Sequence, residues 1–244
     1  MASPVDRTID RLAGWLLPPQ CILCRARGQP PALDLCAACE TDLPALAGGC
    51  PRCGLPRETG LAHGDCARCR RDPPPYDRCH APFDYDFPVD GMIQSLKYGG
   101  QLAMARVLGT LLARSVQSVG LHLDVDMLLP VPLHPGKLAE RGFNQSIEIA
   151  RWTARLVRRP CVERALVRTR ATRPQVGLSL AERAANLDDA FAVEGSVRGR
   201  RVVVIDDVVT TGSTVRAVAG ALRRADASSV DIWCVARTPP SSGR

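Results

Sequence analysis

Four Cys-x-x-Cys pairs crowd the first part of this 244-residue chain: Cys21 and Cys24, Cys36 and Cys39, Cys50 and Cys53, Cys66 and Cys69, separated by eleven, ten and twelve residues. A Cys-x-x-Cys turn presents two thiolates to one ion, and two such turns complete a tetrahedral four-cysteine zinc site. Eight ligands therefore imply two zinc ions. An all-cysteine shell leaves no open coordination position, so both ions are expected to be structural rather than catalytic. Pairing in chain order is the simplest arrangement. Interleaved pairing, first pair with third and second with fourth, stays open. Disulfide use is disfavoured, because Asp6, Arg7, Asp10 and Arg11 interrupt the apolar residues from Val5 to Leu17 and leave no export signal. The chain is accordingly read as cytoplasmic, where cysteine clusters more often hold metal. His63 and the Cys79-His80 pair are read as bystanders rather than ligands.

Around this module the chain divides by composition. Val5, Ile9, Leu12 and Leu16 recur at helical spacing, which predicts a short amphipathic helix within residues 1–20. Residues 21–75 form the cysteine module, rich in Pro and Gly and ending in Pro73-Pro74-Pro75. It holds too few apolar residues to build its own core, so bound metal must supply folding energy. No stretch is long and apolar enough to insert in a membrane. From 76 to about 240 the pattern changes. Apolar, β-branched runs at Met127–Leu133, Val202–Ile205 and Val230–Val235 alternate with helical periods over Gly91–Val119, broken at Gly99-Gly100, over Asn144–Arg158 and over Thr214–Arg224. A short strand is expected at Ala81–Tyr85. Apolar runs separated by helices imply strands buried on both faces, hence an α/β fold with a parallel sheet.

The second strong signal lies in Val202-Val-Val-Ile-Asp-Asp-Val-Val-Thr-Thr-Gly-Ser-Thr214. A buried strand leads to two acids, Asp206 and Asp207. A loop of small hydroxyl residues with one glycine follows, from Thr210 through Thr211, Gly212 and Ser213 to Thr214, and a helix then begins. Ligands of open α/β sheets bind beyond the carboxyl ends of the strands. Free N–H groups at a helix start, with hydroxyls beside them, suit a phosphate monoester. Adjacent carboxylates would repel phosphate and suit vicinal hydroxyls or a hydrated Mg²⁺. Together they describe a ribose 5-phosphate. A Walker-type phosphate loop is excluded here because no Lys follows the glycine.

Further stretches extend the pattern: Leu96-Lys97-Tyr98-Gly99-Gly100, Leu129-Pro-Val-Pro-Leu-His-Pro-Gly136 with Lys137, and Arg141-Gly-Phe-Asn-Gln145. In this order, behind the cysteine module, they resemble the ComF (competence protein F) family. The resemblance implies a double zinc ribbon fused to a type I phosphoribosyltransferase fold, and a link to DNA uptake in natural transformation, with competence-machinery proteins as partners. It implies phosphoribosyl diphosphate (PRPP) with Mg²⁺ as ligand. Asp206 and Asp207 would hold the ribose hydroxyls, and Thr210, Thr211, Gly212, Ser213 and Thr214 the 5-phosphate. Leu133, His134, Gly136, Lys137 and Arg141 would face the pyrophosphate. Asp206, Asp207, Lys137 and Arg141 are the implied catalytic set, Lys97 and Tyr98 are further site candidates, and the Arg-rich stretch from Leu166 to Asn186 is an implied flap.

Two functions fit these residues. One is a transferase that displaces pyrophosphate from PRPP; no general base, acceptor or nucleobase-recognition hood is evident. The other is a PRPP-sensing accessory protein that binds single-stranded DNA. The latter draws on eight arginines and one acid between Arg151 and Arg173, and is opposed by an aromatic content of only 4%. The net charge of +7 counts the cysteines as neutral. With eight thiolates and two Zn²⁺ it falls to about +3, and the basic excess belongs to the α/β part alone.

Overall fold

The computed structural model describes residues 18–30, 33–46, 48–56, 64–169 and 190–238. Most of the helix expected within residues 1–20 (1–17), His63, most of the implied flap (170–186) and the tail after 238 lie outside the described residues.

The cysteine module is two copies of one design. In each, the first pair forms a knuckle closed by a residue in the left-handed region just after its second cysteine. Arg25 follows Cys24 with φ 68° and Gly54 follows Cys53 with φ 69°, and their amides bond back to Cys21 O at 2.9 Å and Cys50 O at 2.8 Å. The second pair of each copy sits at a helix start: Cys36 caps α1 (Ala37–Thr41) and Cys66 caps α2 (Ala67–Arg71). The thiol sulfurs of Cys21, Cys24, Cys36 and Cys39 lie within 4.8 Å of one another, and so do those of Cys50, Cys53, Cys66 and Cys69. Pairing therefore follows chain order. A tetrahedron of Zn–S bonds of about 2.3 Å has edges of about 3.8 Å. The Cys24–Cys36 and Cys53–Cys66 sulfurs stand 3.6 and 3.8 Å apart, so the donors fit zinc with little movement. Backbone amides of Cys39 and Cys66 point at Cys36 Sγ and Cys50 Sγ, at 3.4 and 3.3 Å, and steady thiolate charge. Cys79 and His80 stand apart from both groups; His80 Nε2 pairs with Ser115 Oγ at 2.8 Å instead.

The larger part follows in the order β1 (Arg78–His80), β2 (Phe83–Asp84), α3 (Val89–Gly99), α4 (Leu102–Ser118), β3 (Met127–Pro130), α5 (Pro135–Arg141), α6 (Gln145–Val157), β4 (Leu166–Arg168), β5 (Phe191–Val193), β6 (Arg201–Val209), α7 (Ser213–Arg224) and β7 (Ser229–Arg237). A parallel sheet runs β1-β7-β6-β3, with β2 continuing the β1 edge along β7. Alternate residues face opposite sides. Val203, Ile205, Trp233 and Val235 pack under α3, α4 and α6, whereas Val202, Val204, Val230, Ile232 and Cys234 pack under α7. Cover on both faces is why these strands read as unbroken apolar runs.

Several expectations shift in detail. The strand expected at Ala81–Tyr85 is shorter, β2 at Phe83–Asp84, and a strand that was not expected, β1 at Arg78–His80, precedes it; the two are separated at Ala81-Pro82, where proline lacks the N–H a ladder needs. The turn expected at Leu133–Lys137 opens into helix α5, started by Pro135 at its first turn and capped by His134, whose Nδ1 accepts from Gly136 N at 3.2 Å. Strand β6 does not stop at the acids. It continues to Val209 because β7 stays alongside it, pairing Val208 with Ala236 and Val209 with Arg237. The break expected at Gly99-Gly100 is real: Gly100 ends α3 in the left-handed region at φ 62°.

Helices α4 and α6 touch through Gly109. A Cβ there would meet Trp152 Cβ at 2.7 Å and Ile149 O at 2.8 Å. Helix propensity alone favours Gly109→Ala by nearly 1 kcal/mol. The clash with backbone reverses the sign, and a net loss of about 1–2 kcal/mol is expected, read as a Tm lowered by roughly 2–8 °C. An unchanged or raised Tm would show that the two helices separate without cost.

The first ribbon shares the main core. Cys21, Leu33, Leu35 and Leu43 pack with α3 and α4, and Arg106 and Arg114 of α4 pair with Asp34 and Glu40, the latter at 3.1 Å. The second ribbon has only a small cluster of Cys50, Cys53, Leu55 and Cys69.

Candidate functional site at the end of the parallel sheet

At the carboxyl end of β6 the chain buries two adjacent acids, Asp206 and Asp207, at 8% and 3% exposure. Helix α6 starts directly over them. Asn144 caps it: its Oδ1 accepts from Ser146 N at 2.9 Å, and its Nδ2 donates to Val131 O at 2.9 Å, tying the helix start to the chain leaving β3. That geometry aims the first turn at the acids. Ser146 Oγ donates to Asp206 Oδ1 at 3.0 Å, and Gln145 Nε2 to Asp207 Oδ1 at 3.3 Å. Lys97, from the last turn of α3, forms an ion pair with Asp207 Oδ2 and is itself mostly buried. Arg141 donates to Gln145 Oε1, and its guanidinium lies over the Tyr98 ring, 5.6 Å from the centroid. A relay Arg141–Gln145–Asp207–Lys97 thus joins four elements, α5, α6, β6 and α3.

Two carboxyls and one ammonium give this centre an excess of acid. Burial pushes the Asp206 carboxyl well above the usual carboxylate range, the Asp207 charge pushes it further, and Lys97 opposes both. Asp206 is therefore the member driven toward its protonated form.

After Val209 the chain turns through Thr210, Thr211 and Gly212 into α7. Gly212 caps that helix at φ 82°, a conformation natural only to glycine. Thr211 Oγ1 and Ser213 Oγ lie 2.9 Å apart, and Ser213 N points at Thr211 Oγ1 at 3.4 Å. Thr210 and Thr211 are exposed, so the loop offers hydroxyls and amides to an incoming group.

Of the residues singled out from sequence, the structure brings Asp206, Asp207, Lys97 and Arg141 into one connected group and sets Thr210, Thr211, Gly212, Ser213 and Thr214 just past the end of the same strand, in the turn and first residues of α7. Leu133 and His134 lead into α5, and Gly136 and Lys137 stand exposed on it without joining the acid group. Two participants were not singled out. Gln145 and Ser146 are buried polar residues in the first turn of α6, on the face that continues with Ile149, Ala150, Ala154 and Val157, and polar residues at those inner positions are the signal that marks them. The arginines from Arg151 onward do not form one open basic face. Arg151 is neutralised by Glu148 and Glu163 at 2.8 and 2.6 Å, Arg159 donates to His122 O and Leu123 O, and Arg168 lies against Phe191. The implied flap is rooted in an antiparallel pair, β4 with β5.

Among the described residues no helix is long and apolar enough to cross a membrane. A double zinc ribbon domain matches residues 12–80, and a phosphoribosyl transferase domain matches residues 145–243. The DNA utilization protein YhgH of Escherichia coli (strain K12) is 38% identical over 229 residues, covering 91% of this chain and 98% of that protein. Competence protein F of Haemophilus influenzae is 29% identical over 224 residues, covering 89% and 96%. Among solved structures, a glutamine PRPP amidotransferase from B. subtilis aligns with 53% of this chain and 25% of its own, at 25% identity and a TM-score of 0.38. A double zinc ribbon joined to a phosphoribosyl transferase domain, matched along nearly the whole length of such relatives, shows that this chain belongs to the competence protein F family.

Proposed function

We propose that this chain binds PRPP with Mg²⁺ at the end of β6 and transfers the phosphoribosyl group with release of pyrophosphate, in the handling of DNA during uptake. The observation that supports this reading is a single strand end that buries a hydrogen-bonded acid pair and then turns into a hydroxyl-rich loop at the start of α7. Asp206 and Asp207 would receive the ribose hydroxyls. Thr210, Thr211, Gly212, Ser213 and Thr214 would take the 5-phosphate on amides and hydroxyls. Leu133, His134, Gly136, Lys137 and Arg141 would face the pyrophosphate. The oxygen-only donor set of the acid pair suits Mg²⁺, which supplies positive charge to the leaving pyrophosphate when bound.

The chemistry asks little of side chains. The bond from the anomeric carbon to pyrophosphate breaks as a bond to the acceptor forms, through an oxocarbenium-like state. The protein contributes position and charge compensation. Lys97 has a further part: it pairs with Asp207 and offsets repulsion between the acids. The DNA setting comes from the names of the relatives, DNA utilization protein and competence protein.

Calorimetric titration with PRPP–Mg²⁺ tests the site, and undetectable binding ends this reading. Pyrophosphate release in a screen of acceptors then tests transfer. Binding without turnover on any acceptor instead supports the PRPP-sensing accessory role. Arg155, Arg158 and Arg164 remain exposed as phosphate contacts for single-stranded DNA, whose affinity in that role falls as salt rises.

A further inference from the structure

Arg237, the last residue of β7, is 2% exposed, and among the described residues no carboxylate pairs with it. An unpaired buried guanidinium is costly unless its N–H groups are answered. Here they are answered on two sides. Nη1 donates to Val209 O at 2.5 Å and to Thr210 O, at the entry of the phosphate loop, and Nε donates to Cys53 O at 3.0 Å, on a ligand of the second four-cysteine group. The ribbon lies directly on this side chain: a Cβ on Gly54 would stand 3.8 Å from Arg237 Cδ.

These bonds have a directional consequence. In a trans peptide the C=O of one residue and the N–H of the next lie in one rigid plane and point opposite ways. Val209 O also accepts from Thr238 N at 3.1 Å, so the Thr210 amide is directed jointly by that backbone bond and by Arg237, whereas pinning Thr210 O toward Arg237 turns the Thr211 amide away from it. The second half of the same cysteine group reaches the next carbonyl, since Arg68 on α2 donates to Thr211 O at 3.4 Å, which directs the Gly212 amide likewise. The charges agree as well. Four thiolates around one Zn²⁺ carry about −2, and that charge is the natural counter-charge for a buried guanidinium beside it. Among the described residues the first four-cysteine group has no such link; its neighbours are the face and arginines of α4.

We infer that Arg237 is the positioning residue of the phosphate loop, and that through it the second four-cysteine site, not the first, sets the direction of the loop amides. The consequence for ligand affinity rests on the PRPP reading above; the consequence for loop order does not.

Amide hydrogen exchange separates the two. In the zinc-loaded chain, Arg237→Met is expected to keep both zinc ions and the protection of β6 amides 202–205. Exchange of the Thr211 amide accelerates at least about tenfold, with smaller changes at Thr210 and at Gly212, which Thr238 N and Arg68 also hold, and PRPP–Mg²⁺ binding weakens by a similar factor. Arg237→Lys keeps the charge but loses the fork, so it falls between wild type and Arg237→Met. Arg223→Met, which cuts another arginine tie to the linker at Pro75 O and Asp77 without touching the loop, leaves loop exchange at the wild-type rate. Coupling is reciprocal: PRPP–Mg²⁺ slows the chelator-driven release of one of the two zinc ions in wild type, and no longer does so in Arg237→Met. Wild-type loop exchange in a zinc-replete Arg237→Met chain overturns the inference. Should that variant lose β6 protection as well, the lysine variant gives the deciding measurement, with the same expected sign. If wild type shows no PRPP binding while loop exchange still follows Arg237, the positioning role stands and the ligand assignment falls.

Discussion

Chelating zinc from the full chain unfolds the cysteine module, and the two sites fail differently. Structural zinc sites of this kind are worth about 10 kcal/mol or more of folding free energy at neutral pH. The second ribbon has little else: Leu55 and the ligands themselves make up its buried cluster. Loss of its metal, or Cys50→Ser, should melt it locally and leave the main thermal transition nearly in place. The first ribbon is different because Cys21, Leu33, Leu35 and Leu43 belong to the main core with α3 and α4. Cys21→Ser therefore strips apolar cover from those helices, and the main Tm itself should fall by several degrees. Thermal melts with metal analysis on the two variants check this directly. Equal effects on the main Tm would mean that the ribbons are not divided as their packing indicates.

Asp206→Asn is expected to abolish measurable PRPP–Mg²⁺ binding while making the ligand-free protein more stable. Asp206 takes up a proton more readily when folded than when unfolded, because burial and the Asp207 charge raise its pKa. A raised folded-state value means the folded chain binds more protons than the unfolded one. The stability this contributes is full below the unfolded value near 4 and is lost as pH rises through the folded value. Asparagine keeps the neutral form at every pH and can still accept from Ser146 Oγ and Asp207 N, which reach Asp206 Oδ1 at 3.0 and 2.9 Å. The variant should therefore gain about 1 kcal/mol near neutrality, roughly 2–4 °C in Tm, with the gain shrinking toward acid pH. Asp207→Asn serves as the opposite case. It removes the partner of the mostly buried Lys97 and should lower Tm while also losing PRPP. Differential scanning fluorimetry across pH reads all three proteins. A lower Tm for Asp206→Asn at neutral pH would show that the acid pair is not strained.

That strain fits the proposed role. A site that holds two carboxyls together with one ammonium is poised for hydroxyls or a cation from a ligand, and stability is commonly sacrificed at such places.

The cysteine spacing alone determined two four-ligand metal sites, because a Cys-x-x-Cys turn is a local structure that needs no tertiary context. It did not decide the pairing. Chain-order and interleaved pairing differ only in how the knuckles and the helix-capping pairs fold together, and the packed ribbons bring Cys21 to Cys39 and Cys50 to Cys69 together. The apolar runs at Val202–Ile205 and Val230–Val235 likewise determined a buried parallel sheet, since period and composition follow from cover on both faces. Where strands end was not local information: β6 runs past Asp206 and Asp207 only because β7 extends to Arg237 beside it. The acid pair and the hydroxyl loop were legible as a motif. Gln145, Ser146 and Lys97 became their partners only through the packing of α3 and α6 over the strand end. Arg237 is the extreme case. In sequence it is one arginine before a polar tail. In the fold it is a buried cation between a four-cysteine group and the hydroxyl-rich loop, more than twenty-five residues from the loop and nearly two hundred from the cysteine whose carbonyl it holds. Chemistry carried by neighbouring residues can be read along the chain, whereas chemistry assembled across such separations exists only once the entropy of bringing those segments together has been overcome by the core.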